Sequence, residues 1–337
     1  MMSEKDITCD ITDGEWDNFV HSHPLGNIFQ TRALSKVYAE TKNYYPICIA
    51  VTDPKSQEIL GVMSGVRIRE INRFFGVFTE HSIVQGGPLI FNYTEKNTAK
   101  QLIAQYDSLV GNSSLYNEIR NMHYMQKTLD LCDDYNFIDH LNYIINLKKS
   151  QGDLWNCIHN SRRRRIKKAE KEGIFIDDIS NPEKLLEFYR ILRETYSRAR
   201  IPLADFSLFE SAYLDLVPKG LAKFFFMGRD DKYLSARALL LYKNRIYDWY
   251  AGITDDPLSG DANAYSIWHI LNWGREKNYE IFDFGGAGNP NKPYGPREFK
   301  QSFGGDAVNY GRNVREYSKM KVKIANIGLK VFQRLFV

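Results

Sequence analysis

Glu280-Ile-Phe-Asp-Phe-Gly-Gly-Ala-Gly-Asn289, followed by Phe299-Lys-Gln-Ser-Phe-Gly304, decides how this chain is read. The first segment has the pattern of a buried strand running into a glycine loop, where backbone can approach a ligand closely. The second sets one lysine, Lys300, between aromatic residues just past that loop. Together they make a candidate reaction site. Taken alone, the same residues also describe an ordinary strand, a turn and a surface lysine, so the choice rests on what surrounds them.

Outward from this stretch, the second half of the chain predicts helices over 182–198 and 209–217. Strands follow over 221–228, 233–242 and 244–251, then a helix over 262–277 and the strand over 279–284. The first half predicts a similar order. A helical pattern over 25–40 precedes strands at 45–51 and 58–69, joined by the turn Thr52-Asp-Pro-Lys-Ser56. An extended segment then ends at Gln85-Gly-Gly-Pro88, followed by a helix over 94–109 and a strand over 115–122. Helix, hairpin, strand, helix, strand thus occurs twice. We read this as a structural duplication of a mixed α/β unit containing an antiparallel hairpin, which is not a run of βαβ crossovers.

At 337 residues the chain has room for two domains. With 43% hydrophobic and 26% charged residues it is of ordinary globular composition. Its first residues lack the apolar core of a signal peptide, and no stretch reaches the apolar length of a membrane span. Four scattered cysteines without CxxC spacing read as reduced cytosolic thiols. The net charge of +4 is uneven. Residues 1–150 hold 14 Lys and Arg against 18 Asp and Glu, and the remainder holds 31 against 23. The second half therefore suits an anionic partner.

The charge concentrates in 153–173, where one helix is expected, with Asp153 as N-cap and Gly173 beyond its end. Trp155, Ile158, Ile166 and Ala169 fall on one face. Arg162-Arg-Arg-Arg-Ile-Lys-Lys-Ala-Glu-Lys171 places seven cations in ten residues. Such a helix is either solvated or an electrostatic footprint for phosphates, whether RNA or a diphosphate substrate. Self-repulsion favours an anionic partner. Residues 312–337 carry seven Lys and Arg among regularly spaced aliphatics. They read as an amphipathic helix that either packs on the fold or lies on anionic lipid.

Motifs for other chemistries are weak or missing. There is no phosphate-binding Walker loop and no GxSxG elbow, and Gly286-Ala-Gly288 lacks the third glycine of a dinucleotide fingerprint. His21-Ser-His23 has no carboxylate cluster beside it, so no metal is expected. Pro257-Leu-Ser-Gly-Asp-Ala262, ahead of the 262–277 helix, approaches the pyrophosphate loop by which GNAT-superfamily enzymes hold acetyl-CoA. Proline stands there in place of the basic or amide residue and brings no N–H donor.

In combination these pieces resemble the Fem family of peptidyl transferases, which carry two tandem GNAT-like domains and move an amino acid from aminoacyl-tRNA to a cell-wall precursor. The resemblance covers most of the chain. It rests on Gly26-Asn-Ile-Phe-Gln30 with Lys36, on Arg165-Ile-Lys-Lys-Ala-Glu-Lys-Glu-Gly173, on Ile246-Tyr-Asp-Trp-Tyr-Ala-Gly252, on Phe282-Asp-Phe-Gly-Gly286 and on Phe299-Lys-Gln-Ser-Phe-Gly304. It implies that Lys300 stabilises the negative charge of acyl transfer, and that Lys36 and Tyr250 hold the diphosphate of a nucleotide-linked precursor. The chain departs from the pattern in places. Asn121 stands about where some members carry a carboxylate proposed as base. Ala204 stands where a phosphate-contacting arginine is expected, with Arg200 close by. The long helical arm of some members is missing. Asp283, Gly285 and Gly286 read as shaping the loop.

The expectation is thus an α+β (mixed α/β) chain of two tandem GNAT-like domains, each a mixed sheet flanked by helices. Domain 1 spans 1–152, with 315–337 packing back on it, and domain 2 spans 153–314, opening with the basic helix. The reaction implied is aminoacyl or acyl transfer to an amine of a cell-envelope precursor, nucleotide- or lipid-linked. Lys300 is the catalytic candidate; Lys36, Tyr250 and Arg200 are the substrate-binding candidates. Arg163, Arg164, Lys167 and Lys168 are candidates for contacting the donor RNA. No bound cofactor is expected: aminoacyl-tRNA is the preferred donor and acyl-CoA the alternative. The location expected is cytoplasmic, with peripheral contact of 315–337 at the inner face of the membrane. Two rival readings are an acyl-CoA N-acyltransferase acting on an amino sugar, and a non-catalytic RNA- or membrane-binding protein.

Overall fold

The computed structural model describes residues 7–8, 11–69, 80–91, 96–124 and 134–318. The chain divides into two compact units, one comprising Met1–Asp139 and Tyr310–Val337, the other His140–Asn309.

In the first unit the described strands are β1 (Ile7–Thr8), β2 (Tyr44–Thr52), β3 (Ile59–Arg69), β4 (Glu80–Gln85), β5 (Leu89–Ile90), β6 (Tyr116–Arg120), β7 (Asn136–Ile138) and β15 (Arg312–Glu316). They form one sheet in the order β1-β2-β3-β4-β6-β15-β7, with β5 beside β3. Only β4 and β6 run parallel among these pairs. Helices α1 (Asp13–Ser22), α2 (Arg32–Glu40) and α3 (Lys96–Val110) accompany the sheet. The helix expected over 25–40 is two elements. Asn27 and Gln30 cap a short 3-10 turn reciprocally, and Thr31 then N-caps α2, its extended backbone breaking the run. Gly26 is required here, because a Cβ would run into the carbonyl of Val20.

The second unit contains β8 (Leu141–Asn146), β9 (Phe175–Asp178), β10 (Ala222–Arg229), β11 (Lys232–Tyr242), β12 (Arg245–Ile253), β13 (Ile281–Gly286) and β14 (Asp306–Asn309), in the order β14-β8-β13-β12-β11-β10-β9. Again a single pair, β12 and β13, is parallel. The two units therefore repeat one plan: antiparallel strands, one parallel partner, then two more antiparallel strands. The repeat has a twist of connectivity. The strand following the parallel partner comes from the chain's return in the first unit (β15), and from the segment before the basic helix in the second (β8).

This moves the expected boundaries. The second unit begins at His140 and not at 153, because β8 hydrogen-bonds both β13 and β14. The chain re-enters the first unit at Tyr310, and 312–316 is a strand in the sheet, not the start of a helix. The rest of the expected C-terminal helix, from residue 319, lies outside the described residues. The basic helix is likewise two helices, α4 (Gln151–Cys157) and α5 (Asn160–Lys171). Ser150, not Asp153, is the N-cap of α4. Ile158 turns extended and is buried, and His159 caps α5. The remaining helices are α6 (Leu185–Ala199), α7 (Phe206–Leu216), α8 (Ser259–Glu276) and α9 (Gly295–Gln301). Ile166 and Ala169 of α5 are buried with Ile267, Ile270 and Leu271 of α8 and the inward residues of β10, β11 and β13. Among the described residues no helix is long and apolar enough to cross a membrane.

Candidate active site

The parallel strands of the second unit stay paired for only three residues. Arg245, Ile246 and Tyr247 face Ile281, Phe282 and Asp283, and there the ladder ends. Past that point β12 follows its other neighbour β11 instead. Ala238 faces Tyr250 while Leu239 faces Asp248, so Trp249 is the extra residue of a β-bulge. A bulge bends its strand and re-aims side chains. The strand ends that part carry Asp248 on one side and the Phe284–Gly286 backbone on the other.

Asp283, the last residue of β13 paired with β12, is buried. One carboxylate oxygen accepts from the Gly285 N–H at 2.8 Å, and the other faces Arg245 at 3.4 Å. Burial pushes its carboxyl above the ordinary range, opposed by Arg245, the Gly285 N–H and Lys300. Gly285 has φ +68°, a left-handed turn that glycine makes without strain. Lys300 sits on α9 and reaches back to this turn. Its Nζ donates to the carbonyls of Phe284 at 2.6 Å and Gly286 at 2.7 Å. Burial lowers its proton affinity and Arg237 adds to this, while Asp248 and Asp283 oppose. An ammonium has three donors, so one remains after the two carbonyls are served. The arrangement puts a desolvated cation at the strand parting, where an oxyanion can be stabilised.

Beside it lies a network not foreseen in the sequence. Arg237 of β11, only 3% exposed, donates to Asp248, to Asn263 at 2.6 Å and to Ser266 at 3.2 Å. The pair meets through the bulge, and only pairing of β11 and β12 could have signalled it.

The basic helix is built into this frame. The Arg162 guanidinium lies over Phe299 at 4.6 Å, and its Nε donates to Ser302 Oγ at 3.0 Å. The His159 N–H donates to the Ser302 carbonyl at 2.9 Å. The residues flanking Lys300 are thus clamped by the start of α5. Arg165 and Lys168 pair with the buried Asp261 at 3.1 and 2.8 Å. Lys168, a candidate for RNA contact, is therefore committed to an internal ion pair. Arg164 and Lys167 are exposed, and Arg163 is half-buried with a hydrogen bond to Asn160.

The same contacts occupy the loop resembling a pyrophosphate cradle. Helix α8 starts at Ser259, three residues before the expected position. The Asp256 carboxylate accepts from the Leu258 N–H, the Asp256 carbonyl from Ser259, and the Leu258 carbonyl from Asp261 and Ala262. Arg165 packs over Gly260, its Nη1 2.9 Å from where a Cβ would stand. The carboxylate of Asp261 already lies in the first turn of the helix, where its dipole favours an anion.

Tyr250 stands among aromatic rings, 4.8 Å from Phe209 and 5.9 Å from Tyr196. Arg200 ends α6 in the left-handed region at φ +56° and is exposed. The Ala204 carbonyl accepts from the Tyr189 hydroxyl at 3.1 Å. Lys36 belongs to the first unit, exposed on α2 and 2.6 Å from Asp13. In that unit Asn121 donates to the Tyr310 carbonyl at 2.9 Å and to Asn313 Oδ1 at 2.7 Å, two acceptors that a carboxylate could not serve. His23 spends Nε2 on the Ile90 carbonyl and Nδ1 on the Leu25 N–H.

Residues 158–301 match the family model described as an acetyltransferase (GNAT) domain. Across nearly the whole chain the fold is similar to that of a solved FemX, with TM-score 0.70, 16% identity and coverage of 98% of this chain and 99% of that one. It is also similar to L-PGS from Bacillus licheniformis, with TM-score 0.58, 13% identity and 94% and 96% coverage. A tandem GNAT protein from the clavulanic acid biosynthesis pathway matches at TM-score 0.57, 9% identity and 94% and 99% coverage. At such identities the likeness is one of fold. None of the curated proteins matches the chain in sequence. The chain has the Fem-like tandem GNAT fold, and its second unit carries the acyltransferase domain, so it is an acyltransferase.

Proposed function

We propose that the chain transfers an aminoacyl group from aminoacyl-tRNA to an amine of a nucleotide- or lipid-linked cell-envelope precursor, with Lys300 stabilising the oxyanion. The observation that carries the choice of donor is the start of α8. Its N–H groups at Leu258, Ser259, Asp261 and Ala262 are satisfied within the chain, and the Asp261 carboxylate stands in its first turn. That arrangement leaves none of these four N–H groups for the pyrophosphate of acyl-CoA, whereas Arg163, Arg164 and Lys167 on α5 suit an RNA backbone. The envelope acceptor is supported by the likeness of fold to FemX and L-PGS. In this reading Tyr250 and Arg200 of the second unit serve the precursor's diphosphate, and the chain acts in the cytoplasm against the inner face of the membrane.

One observation favours a second reading, an acyl-CoA N-acyltransferase: the matched domain model is that of an acetyltransferase. Binding of the purified chain to charged tRNA, uncharged tRNA and acetyl-CoA separates the two. Saturable binding of charged tRNA is expected, and binding of acetyl-CoA alone overturns the RNA donor.

A further inference from the structure

Helix α9 has seven residues, none of them buried, and Tyr294 at its start provides no side-chain cap. A helix this short does not hold itself. Its far end is clamped by α5 through Phe299 and Ser302. Its near end is tied to the loop after β13 by Arg297 and by the Tyr294 ring packed on Gly288. The Arg297 Nε donates to the Ala287 carbonyl at 2.9 Å, Nη1 to the Pro290 carbonyl at 3.2 Å, and Nη2 to the Asn289 carbonyl. Lys300, three positions further along the same helix, holds the Phe284 and Gly286 carbonyls. Five carbonyls of residues 284–290 thus face two cations of one short helix. A guanidinium offers its donors in one rigid fork, whereas an ammonium is a single point on a flexible stem. Arginine is therefore the side chain that can fix the whole loop from one place.

We propose that Arg297 is the positioning residue for Lys300, its guanidinium fixing the 287–290 loop so that α9 holds the ammonium on the Phe284 and Gly286 carbonyls with its third donor open. This rests on the acyl-transfer reading above, in which that donor meets the oxyanion. The charges acting on Lys300 are Asp248, Asp283 and Arg237, from β12, β13 and β11, and Arg162 of α5 lies over the adjacent Phe299. Arg297 acts instead through the backbone. Without it the near end of α9 loosens and the ammonium drifts from its place. A misplacement of about 1 Å costs on the order of 10²-fold in rate. Water also reaches the ammonium, and its proton affinity, lowered by burial, returns toward the ordinary 10.5.

The test is competitive acetylation of the full chain by acetic anhydride, read lysine by lysine with mass spectrometry across pH. It gives the midpoint at which Lys300 loses its proton, with no substrate present. Arg297→Lys and Arg297→Ala are expected to raise that midpoint toward 10.5. Both should lower kcat for transfer to n-butylamine, from aminoacyl-tRNA or acetyl-CoA, by about 10²-fold. Free guanidinium at sub-denaturing concentration is expected to return the midpoint in Arg297→Ala. Labelling of Lys168, which pairs with Asp261 elsewhere in the unit, should match the unmodified chain. A midpoint that stays put in both variants overturns the inference, whether or not turnover falls. So does a shift that Lys168 shares or that guanidinium does not reverse. An unmodified chain that transfers from neither donor overturns the acyl-transfer reading, and the labelling still decides whether Arg297 positions Lys300.

Discussion

Lys300 has a structural task and, in the function proposed above, a catalytic one, and a substitution separates them. It ties down the Phe284 and Gly286 carbonyls, which leaves one donor of its ammonium for the proposed oxyanion. Lys300→Met should cost roughly 10²–10³-fold in kcat, the scale for removing one oxyanion donor. It should also lower stability by about 1–3 kcal/mol, since two carbonyls lose their partner. Transfer assays and thermal melts measure the two losses separately, and unchanged kcat refutes the catalytic role. The pH profile carries a further expectation. Burial places the Lys300 ammonium below its ordinary 10.5. As pH rises through that lowered value the ammonium loses its proton and the oxyanion its counter-charge, so kcat/KM should fall on an alkaline limb below 10.5. A limb that vanishes in Lys300→Met assigns it. The prominence of Lys300 was legible from its aromatic neighbours and the preceding glycines. Arg237 and Asp248 were not, because eleven positions and a bulge separate them in sequence.

At the scale of elements, the basic segment shows why charge density alone misleads. Arg162, Arg165 and Lys168 spend their charge on Phe299, Ser302 and Asp261, which join α5 to α9 and α8. Arg163 donates to Asn160 and Lys167 lies 5.9 Å from the Trp155 ring, and their charges, with that of Arg164, are the ones the proposed RNA would meet. Arg163→Ala/Arg164→Ala should weaken binding of charged tRNA and reduce the slope of log K against log salt by roughly one for each phosphate that is no longer neutralised. An identical slope in the double variant counts against the RNA contact. The cap at His159 and the break at Ile158 escaped a reading by periodicity, because the buried positions continue in phase across the interruption. Ile158 is buried as expected, but it is extended.

For the whole molecule, the strand exchange sets what can fold. A fragment of residues 140–309 retains β8 between β13 and β14, whereas one of residues 153–309 leaves both strands without that partner. The longer fragment should unfold cooperatively on heating and the shorter one should not, with circular dichroism as the readout. Equal cooperativity would mean that β8 is dispensable to the unit.

The sequence by itself determined the duplicated order of helices and strands, because hydrophobic period and turn residues are local properties. It also singled out the lysine, the glycine turn and the basic run. Only the tertiary structure decided which strand completes each sheet, which cations are already spent, and that Arg237 pairs with Asp248 across the bulge. Those outcomes depend on pairings between residues far apart in the chain, where ladder register, a bulge and burial choose partners that no local pattern records.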